Sequence, residues 1–371
     1  MDISLDNEKQ MNNIRFTLSL LSSVINETEP KEPDFQPVWD FIFAFTKLHK
    51  VDNTVFYAIE KLNNKPEPTL YKKWMDARNK CIHRNMIQRQ EFASICATFE
   101  EKGIEYMPVK GFAVSELYPK EDMRYMGDLD ILIKDRREEA INILLNNGYS
   151  VKEKCIDYDK PLIKPPFMLV ELHNNLFPLY SPYCPFFDNI FLKSTKINCY
   201  HKMSPEDFYI YETVHFYKHY SGSGAGIRNI IDFYLINKTL LHKLNEERIN
   251  NELTKLELYD FSRTIAKMAD KWFKSNDYRD FCDDELMVLS SGLYGTKKQR
   301  IQNLTKTQTK SKYLFSRLFP SKETMYEVFP KLQKHPALLP FYYVFKLFRG
   351  LLTKKTAIKN EIRILKKNGN K

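Results

Sequence analysis

Two aspartates stand two residues apart in an apolar run, Gly127-Asp128-Leu129-Asp130-Ile131-Leu132-Ile133. In an extended strand alternate side chains share a face. Asp128 and Asp130 are therefore expected to project together, about 7 Å apart at the backbone, while Leu129 and Ile131 point into the core. Asp is depleted in strands, so two in so short a run ask for a reason other than a solvated face. Like charges on one face repel at neutral pH unless a cation sits between them, and a divalent metal is the obvious candidate. Mg2+ is commonly held by one or two carboxylates together with substrate phosphates. A second isolated acid lies in FMLVELH (167–173), where alternation puts Glu171 and His173 on one face. If the two strands are neighbours, Asp128, Asp130 and Glu171 converge on one spot. Three such carboxylates suit a two-metal phosphoryl or nucleotidyl transfer using Mg2+ or Mn2+. One metal would activate the attacking oxygen, and the other would hold the triphosphate and offset charge on the leaving pyrophosphate.

Other residues fit the same job. Lys110-Gly111 lies where a strand is expected to turn into a helix, so Gly111 lets backbone N–H groups approach phosphates and Lys110 supplies a point charge. Arg124, four residues before Asp128, can supply another. Glu171 can act as general base on an acceptor hydroxyl. His173, on the same face, can contact a phosphate or the acceptor, or serve as a hydrogen-bonded structural residue. Arg228 and Asp232 stand four apart on an expected helix and can pair with each other. His215 and His219 have the spacing of metal ligands on a helix, but no acid accompanies them and Phe216, Tyr217 and Tyr220 surround them, which favours structural histidines. His83 reads as an ordinary helix residue.

The elements that must position these residues are legible in outline. Residues 8–28, 36–62 and 70–102 read as helices, the last stopped by Gly103. Ile104–Val109 reads as a strand, and Gly111 opens a helix closing near Tyr118-Pro119. Leu129–Lys134 is the next strand, Asp135 caps a helix Arg136–Asn147, and Tyr149–Lys152 and Phe167–His173 are further strands. A loop follows over 177–187, with a short strand near Ile197. Ser204-Pro205 starts a helix running to about Tyr220, SGSGAG (221–226) breaks it, and Ile227–Leu241 is the next. The fold class is α+β: a small mixed sheet carrying the acids, embedded between helical N- and C-terminal parts. The division expected is a helical region 1–103, an α/β core 104–200, a helical domain 201–295 and a basic extension 296–371.

Taken together, KG with a helix ending in LYP, then RxxGDLDILI, a helix and GY, then VELH resembles the uncharacterised bacterial nucleotidyltransferase family, within the DNA polymerase beta-like superfamily that also holds the minimal nucleotidyltransferases. The resemblance is dense over 104–174, looser over 204–350, and does not rest on residues 1–70. It implies a nucleotide-binding site at Lys110, Gly111, Arg124, Gly127 and His173, and a catalytic and metal-binding set of Asp128, Asp130 and Glu171. It also identifies Arg228 and Asp232, in GIRNIIDFYL, with a downstream Arg…Asp helix of substrate or structural role. Three features depart from the pattern: Phe112 follows the turn glycine where Gly or Ser is usual, the gap from Gly111 to Asp128 is longer than in the commonest members, and Asn174 stands where Trp often follows the strand's histidine.

Composition narrows the remaining options. Of 371 residues only 11 are Gly, which disfavours a glycine-rich dinucleotide fold. Six scattered cysteines without a CxxC pair disfavour a zinc ribbon or disulfide scaffold. No apolar run reaches the ~18 residues of a membrane span, and the polar start MDISLDNEKQ does not read as a signal peptide; a cytoplasmic protein is expected. The net charge of +10 is uneven: residues 301–371 hold 16 Lys and Arg against 3 acids, leaving the remainder slightly acidic. That basicity belongs to a tail, so a nucleic-acid partner is not indicated, although its phosphates remain open. The expected partners are an NTP and an acceptor that is a sugar, a protein or a small molecule. Phe341 to about Lys367 reads as an amphipathic helix that either packs with its charges outward or lies on an anionic membrane surface, at the inner face of the membrane. Two other readings stand beside the enzyme: a catalytically silent nucleotide-binding or interaction module, and a membrane-surface protein working through this tail.

Overall fold

The structure, a computed structural model, describes residues 7–152, 161–179, 181–222, 224–240, 244–293 and, farther on, 315, 318–329, 332 and 335–353. The chain opens with four helices. Asn7 caps α1 (Glu8–Ile25) by accepting from the Gln10 amide. Ile14, Leu18 and Leu21 recur at helical spacing and are fully buried. Residues 36–62 form two helices rather than one. Lys50 adopts a left-handed conformation (φ 56°) and separates α2 (Trp39–His49) from α3 (Asp52–Ile59). Glu67 and Pro68 start α4 (Pro68–Lys102), and Gly103 (φ 63°) ends it.

The middle of the chain builds a seven-stranded mixed sheet. In chain order it holds β1 (Tyr106–Val109), α5 (Gly111–Ser115), β2 (Leu129–Ile133), α6 (Arg137–Asn146), β3 (Ser150–Val151), β4 (Leu162–Lys164), β5 (Met168–His173), α7 (Cys184–Phe187), α8 (Ile190–Lys193), β6 (Thr195–Ile197) and β7 (Tyr200–Lys202). The spatial order is β3-β4-β5-β2-β1-β7-β6. β2 lies at the centre, antiparallel to β1 and parallel to β5, with Asp130 opposite both Val109 and Glu171. Asp135 does not cap α6; the cap is Arg136 in a left-handed conformation (φ 58°). The strands β4 and β7 were not foreseen.

α9 (Pro205–Gly222) starts as expected, with the Ser204 hydroxyl accepting from the Asp207 amide. α10 (Ile227–Leu240), α11 (Glu246–Lys255), α12 (Tyr259–Phe273) and α13 (Asp283–Ser291) follow, and near the end come α14 (Lys322–Val328) and α15 (Leu339–Thr353). Much of the expected basic extension, including residues 296–314, and the part of the last helix beyond 353 lie outside the described residues.

Two buried clusters sandwich the sheet. On one face Leu129, Ile131, Ile133, Val170 and Leu172 meet Ile95 and Phe99 of α4 and Ile141 and Leu144 of α6. On the other, Met107, Val109 and Leu132 join a larger core built by α1 to α3, the first half of α4, and α9 to α13. Every residue of β2 is buried, as a strand covered on both faces requires. Asp130 is its single ionisable residue, on the face shared with Leu132. Five cysteines are free among the described residues.

Candidate active site

β5 alternates cleanly. Met168, Val170 and Leu172 are buried, while Glu171 and His173 turn to the opposite face. Parallel pairing sets Glu171 beside Asp130 and His173 beside Leu132. The outcome is a tight group in which one donor atom each of Asp130, Glu171 and His173 lies within 4.8 Å of the others. His173 Nε2 is 2.7 Å from Asp130 Oδ1 and 3.7 Å from Glu171 Oε2. Lys110 Nζ donates to the same Asp130 Oδ1 at 2.6 Å. Burial works against the Asp130 charge, but Lys110 and His173 overcome it and hold the carboxyl well below the usual carboxylate range. Glu171 goes the other way: burial, then the Asp130 charge, pushes its carboxyl up.

Asp128 does not share the strand. It sits one residue before β2, exposed at the mouth of the cleft and outside the tight group. Protein crowding its carboxyl, followed by the Asp130 charge, raises its pKa. Lys110 occupies an unusual conformation (φ 55°, ψ −128°) at the turn from β1 into α5. A non-glycine residue held there stores strain of about 1–3 kcal/mol, which the ion pair to Asp130 helps to hold. The next residue, Gly111, must be small: a Cβ there would lie 2.5 Å from Arg124 Nη1. Phe112 turns away from the cleft into the core, 4.2 Å from the Phe92 ring and under the Arg89 guanidinium.

Arg124 is 7% exposed and tied by two hydrogen bonds to Asp232 on α10, Nε to Oδ1 at 2.9 Å and Nη2 to Oδ2 at 2.8 Å. The Tyr118 hydroxyl donates to Asp232 Oδ1 at 2.7 Å, which gives the LYP segment its structural task. Asp232 therefore does not pair with Arg228; Arg228 Nη1 donates to the Tyr125 carbonyl at 2.8 Å. The fork of Arg124 matches a carboxylate in a way an i,i+4 helix pair does not. Behind this clamp, α3 grips the 3-10 turn Glu121–Met123. Asn53 donates to the Asp122 and Met123 carbonyls and Thr54 to the latter at 2.6 Å, so the N-terminal helices set the loop that leads into Asp128.

These residues open onto a cleft of about 610 Å³, lined by every expected site residue except Asp232. Its far wall, from α9 and α10, was not assigned to the site from sequence: His215, Lys218, His219 and Asn229 join Arg228 there. Their one signal was helical spacing, since His215 and His219 read as structural. The two Nε2 atoms lie 3.2 Å apart. Protein crowding its ring, then Lys218, pushes the solvent-accessible His219 down to about 4, and His215 is also well below its ordinary value, so both are neutral at pH 7. Arg137, with Nε donating to the Leu172 carbonyl, and Asn174 line the cleft on the β5 side. Beneath the cleft, Glu212 on α9 is buried with one carboxyl oxygen lacking a hydrogen-bond partner. Burial pushes it up to about 8 against the pull of Arg124.

The grouped carboxylates and imidazole are donors of the kind that bind Mg2+ or Mn2+, and the cationic wall across the cleft suits phosphate. No curated protein and no solved structure matches the chain. Residues 36–274, which include the whole sheet, the clamp and both walls of the cleft, match the family described as uncharacterised nucleotidyltransferase, and the chain belongs to that family, which implies transferase activity.

Proposed function

We propose that the protein transfers a nucleoside monophosphate from an NTP to an acceptor hydroxyl, releasing pyrophosphate, with a divalent cation as cofactor. The observation that carries this reading is the Asp130–Glu171–His173 group, its donor atoms within 4.8 Å, facing cationic side chains across one cleft. The donor set fits such an ion. Asp130 and Glu171 would hold it, Asp128 would complete the shell from the cleft mouth, and the imidazole of His173 tolerates Mn2+ more readily than Mg2+. When bound, the ion supplies charge neutralisation at the phosphates and lowers the pKa of the attacking oxygen.

The chain's own groups would do the rest. Glu171, whose carboxyl is raised, would take the acceptor's proton as its oxygen bonds to the α-phosphorus and the α–β phosphoanhydride bond breaks. Lys110 and Arg228 would stabilise the negative charge gathering on the leaving pyrophosphate. The Gly111 turn would let backbone approach the phosphates, and the Arg124–Asp232 clamp would keep that turn in register with Asp128. Asn174 and Arg137 would face the acceptor side of the cleft.

The test is thermal unfolding of wild type and Asp128→Asn with each of the four NTPs, with and without Mg2+, followed by transfer assays with α-phosphate-labelled NTP. Ligand at about 100 times its dissociation constant adds roughly 2.7 kcal/mol. A Mg2+-dependent gain with at least one NTP, lost in the variant, is expected; no gain with any NTP would overturn the reading. A second reading, a nucleotide-binding module without transfer, is favoured by Lys110 Nζ already neutralising Asp130 at 2.6 Å. NTP binding that survives Mg2+ removal, with no labelled product, would identify it.

A further inference from the structure

We propose that α15 is a docking surface for an anionic lipid bilayer, lying in the plane of the headgroups. Phe341, Val344, Phe345 and Phe348 fall within an arc of about 100° of the helix, and Leu338 stands in the 3-10 turn Pro336–Leu338 that leads into it. All are exposed, from 42% at Leu338 to 71% at Phe341. The opposite side of the helix is occupied by the chain itself. The Tyr343 hydroxyl donates to the Pro320 carbonyl at 2.6 Å, its ring meets Phe319 at 5.7 Å, and Tyr342 meets Phe329 at 5.0 Å. The helix is thus anchored by its tyrosines; Phe345, whose ring also meets Phe329 at 5.9 Å, lies at the edge of the packed side, and Phe341 and Phe348 stand most exposed. Single exposed apolar residues are ordinary, but four on one side of a helix, with a fifth just before it, mark an interaction site.

Charge selects the occupant. Lys346 and Arg349 stand within the helix, and the sequence after it, 354–371, carries seven Lys and Arg against Glu361 alone. Over 301–371 there are 16 basic residues and 3 acids. A second copy would bring an equally basic segment against this one and be repelled. Duplex nucleic acid would take the charges, but its bases are already stacked; a single strand could stack on the rings, yet would leave the aliphatic Leu338 and Val344 bare. An anionic bilayer satisfies both, with rings at the acyl boundary and Lys and Arg among the headgroups. The helix has 15 residues, too short for the ~30 Å hydrocarbon core, and no helix among the described residues is long and apolar enough to cross a membrane.

The experiment is co-sedimentation of the full chain with vesicles of phosphatidylcholine mixed with phosphatidylglycerol, against phosphatidylcholine alone. The expected result is sedimentation with the mixed vesicles only, weakened by added salt. Phe341→Ser/Phe348→Ser should bind at least about tenfold more weakly while keeping the wild-type unfolding midpoint and NTP response. Should the double variant unfold, Phe341→Ser alone, at the most exposed position, gives the same comparison. Equal sedimentation with both vesicles, none with either, or binding undiminished in the variants would overturn the proposal. A concentration-dependent dimer lost in the double variant would overturn it too, in favour of self-association.

Discussion

Glu212 offers a test of the electrostatics beneath the cleft. Burial holds its proton up to about pH 8, whereas an unfolded chain releases it near 4.5. Between those values the unfolded state gains by ionising and the folded state does not. The stability that protonation confers is complete below about 4.5 and is lost as pH rises toward 8. Each pH unit in that window is worth about 1.4 kcal/mol, so at pH 7 the wild type gives up about 3 kcal/mol. Glu212→Gln keeps the shape of the neutral acid and does not titrate. It should be nearly equal to wild type near pH 4 and more stable by about 3 kcal/mol at pH 7, with the gap widening until about pH 8. Urea unfolding of both proteins across this range measures the gap. His49 titrates in the opposite sense: buried between the Leu289 carbonyl and the Ile227 amide, it is pushed down to about 3, and charging it destabilises the fold as pH falls below its ordinary 6.5. That contribution is common to both proteins and cancels in the difference. A gap that does not change with pH, or a variant less stable than wild type at pH 7, would refute the neutral buried carboxyl.

The clamp and the turn give three more expectations. Arg124→Met or Asp232→Leu leaves a buried charge without its partner and should cost about 3–5 kcal/mol, while the double variant should cost clearly less than the two together; strictly additive losses in urea unfolding would count against a coupled pair. Gly111→Ala drives a methyl group toward an Arg124 that Asp232 prevents from retreating, so a loss of about 1–3 kcal/mol with impaired nucleotide binding is expected; an unchanged midpoint would show that the turn yields. Phe112→Leu should leave any NTP-induced stabilisation intact, because the ring packs on Phe92 rather than in the cleft. Loss of that response at a preserved midpoint would show that Phe112 shapes the phosphate turn.

The α+β class and the two acid-bearing strands were legible because a period of two is a strong signal in FMLVELH and GDLDILI, whereas their pairing entered only as a condition, which the fold supplies. The strand's start at Leu129 was legible too, but the same period of two was carried back to Asp128, which stands one residue before the strand and outside its alternation. Strands of two or three residues, such as β4 and β7, carry too little alternation to be seen. The break at Lys50 lacks a glycine or proline to mark it. The partner of Asp232 was illegible for a different reason: Arg124 is 108 residues away in sequence, and only the folded chain brings its fork to the carboxylate. His215, Lys218 and His219 likewise become cleft residues only because folding brings α9 to the cleft that Asp130 and Glu171 line.

The match to the family begins at residue 36, beyond α1, yet α1 lies in the middle of the larger core. Its Asn26 donates to the Phe273 carbonyl at 2.7 Å and accepts from the Tyr234 hydroxyl at 2.7 Å, while Leu18 and Leu21 are wholly enclosed. A chain trimmed to residues 36–274 would bare α3 and α12, and α3 is the element that holds the loop before Asp128. The stretch by which kinship is recognised is therefore smaller than the unit that must be inherited whole. Recombination that exchanged the sheet without the first helix would carry the acids but not the support that aims them.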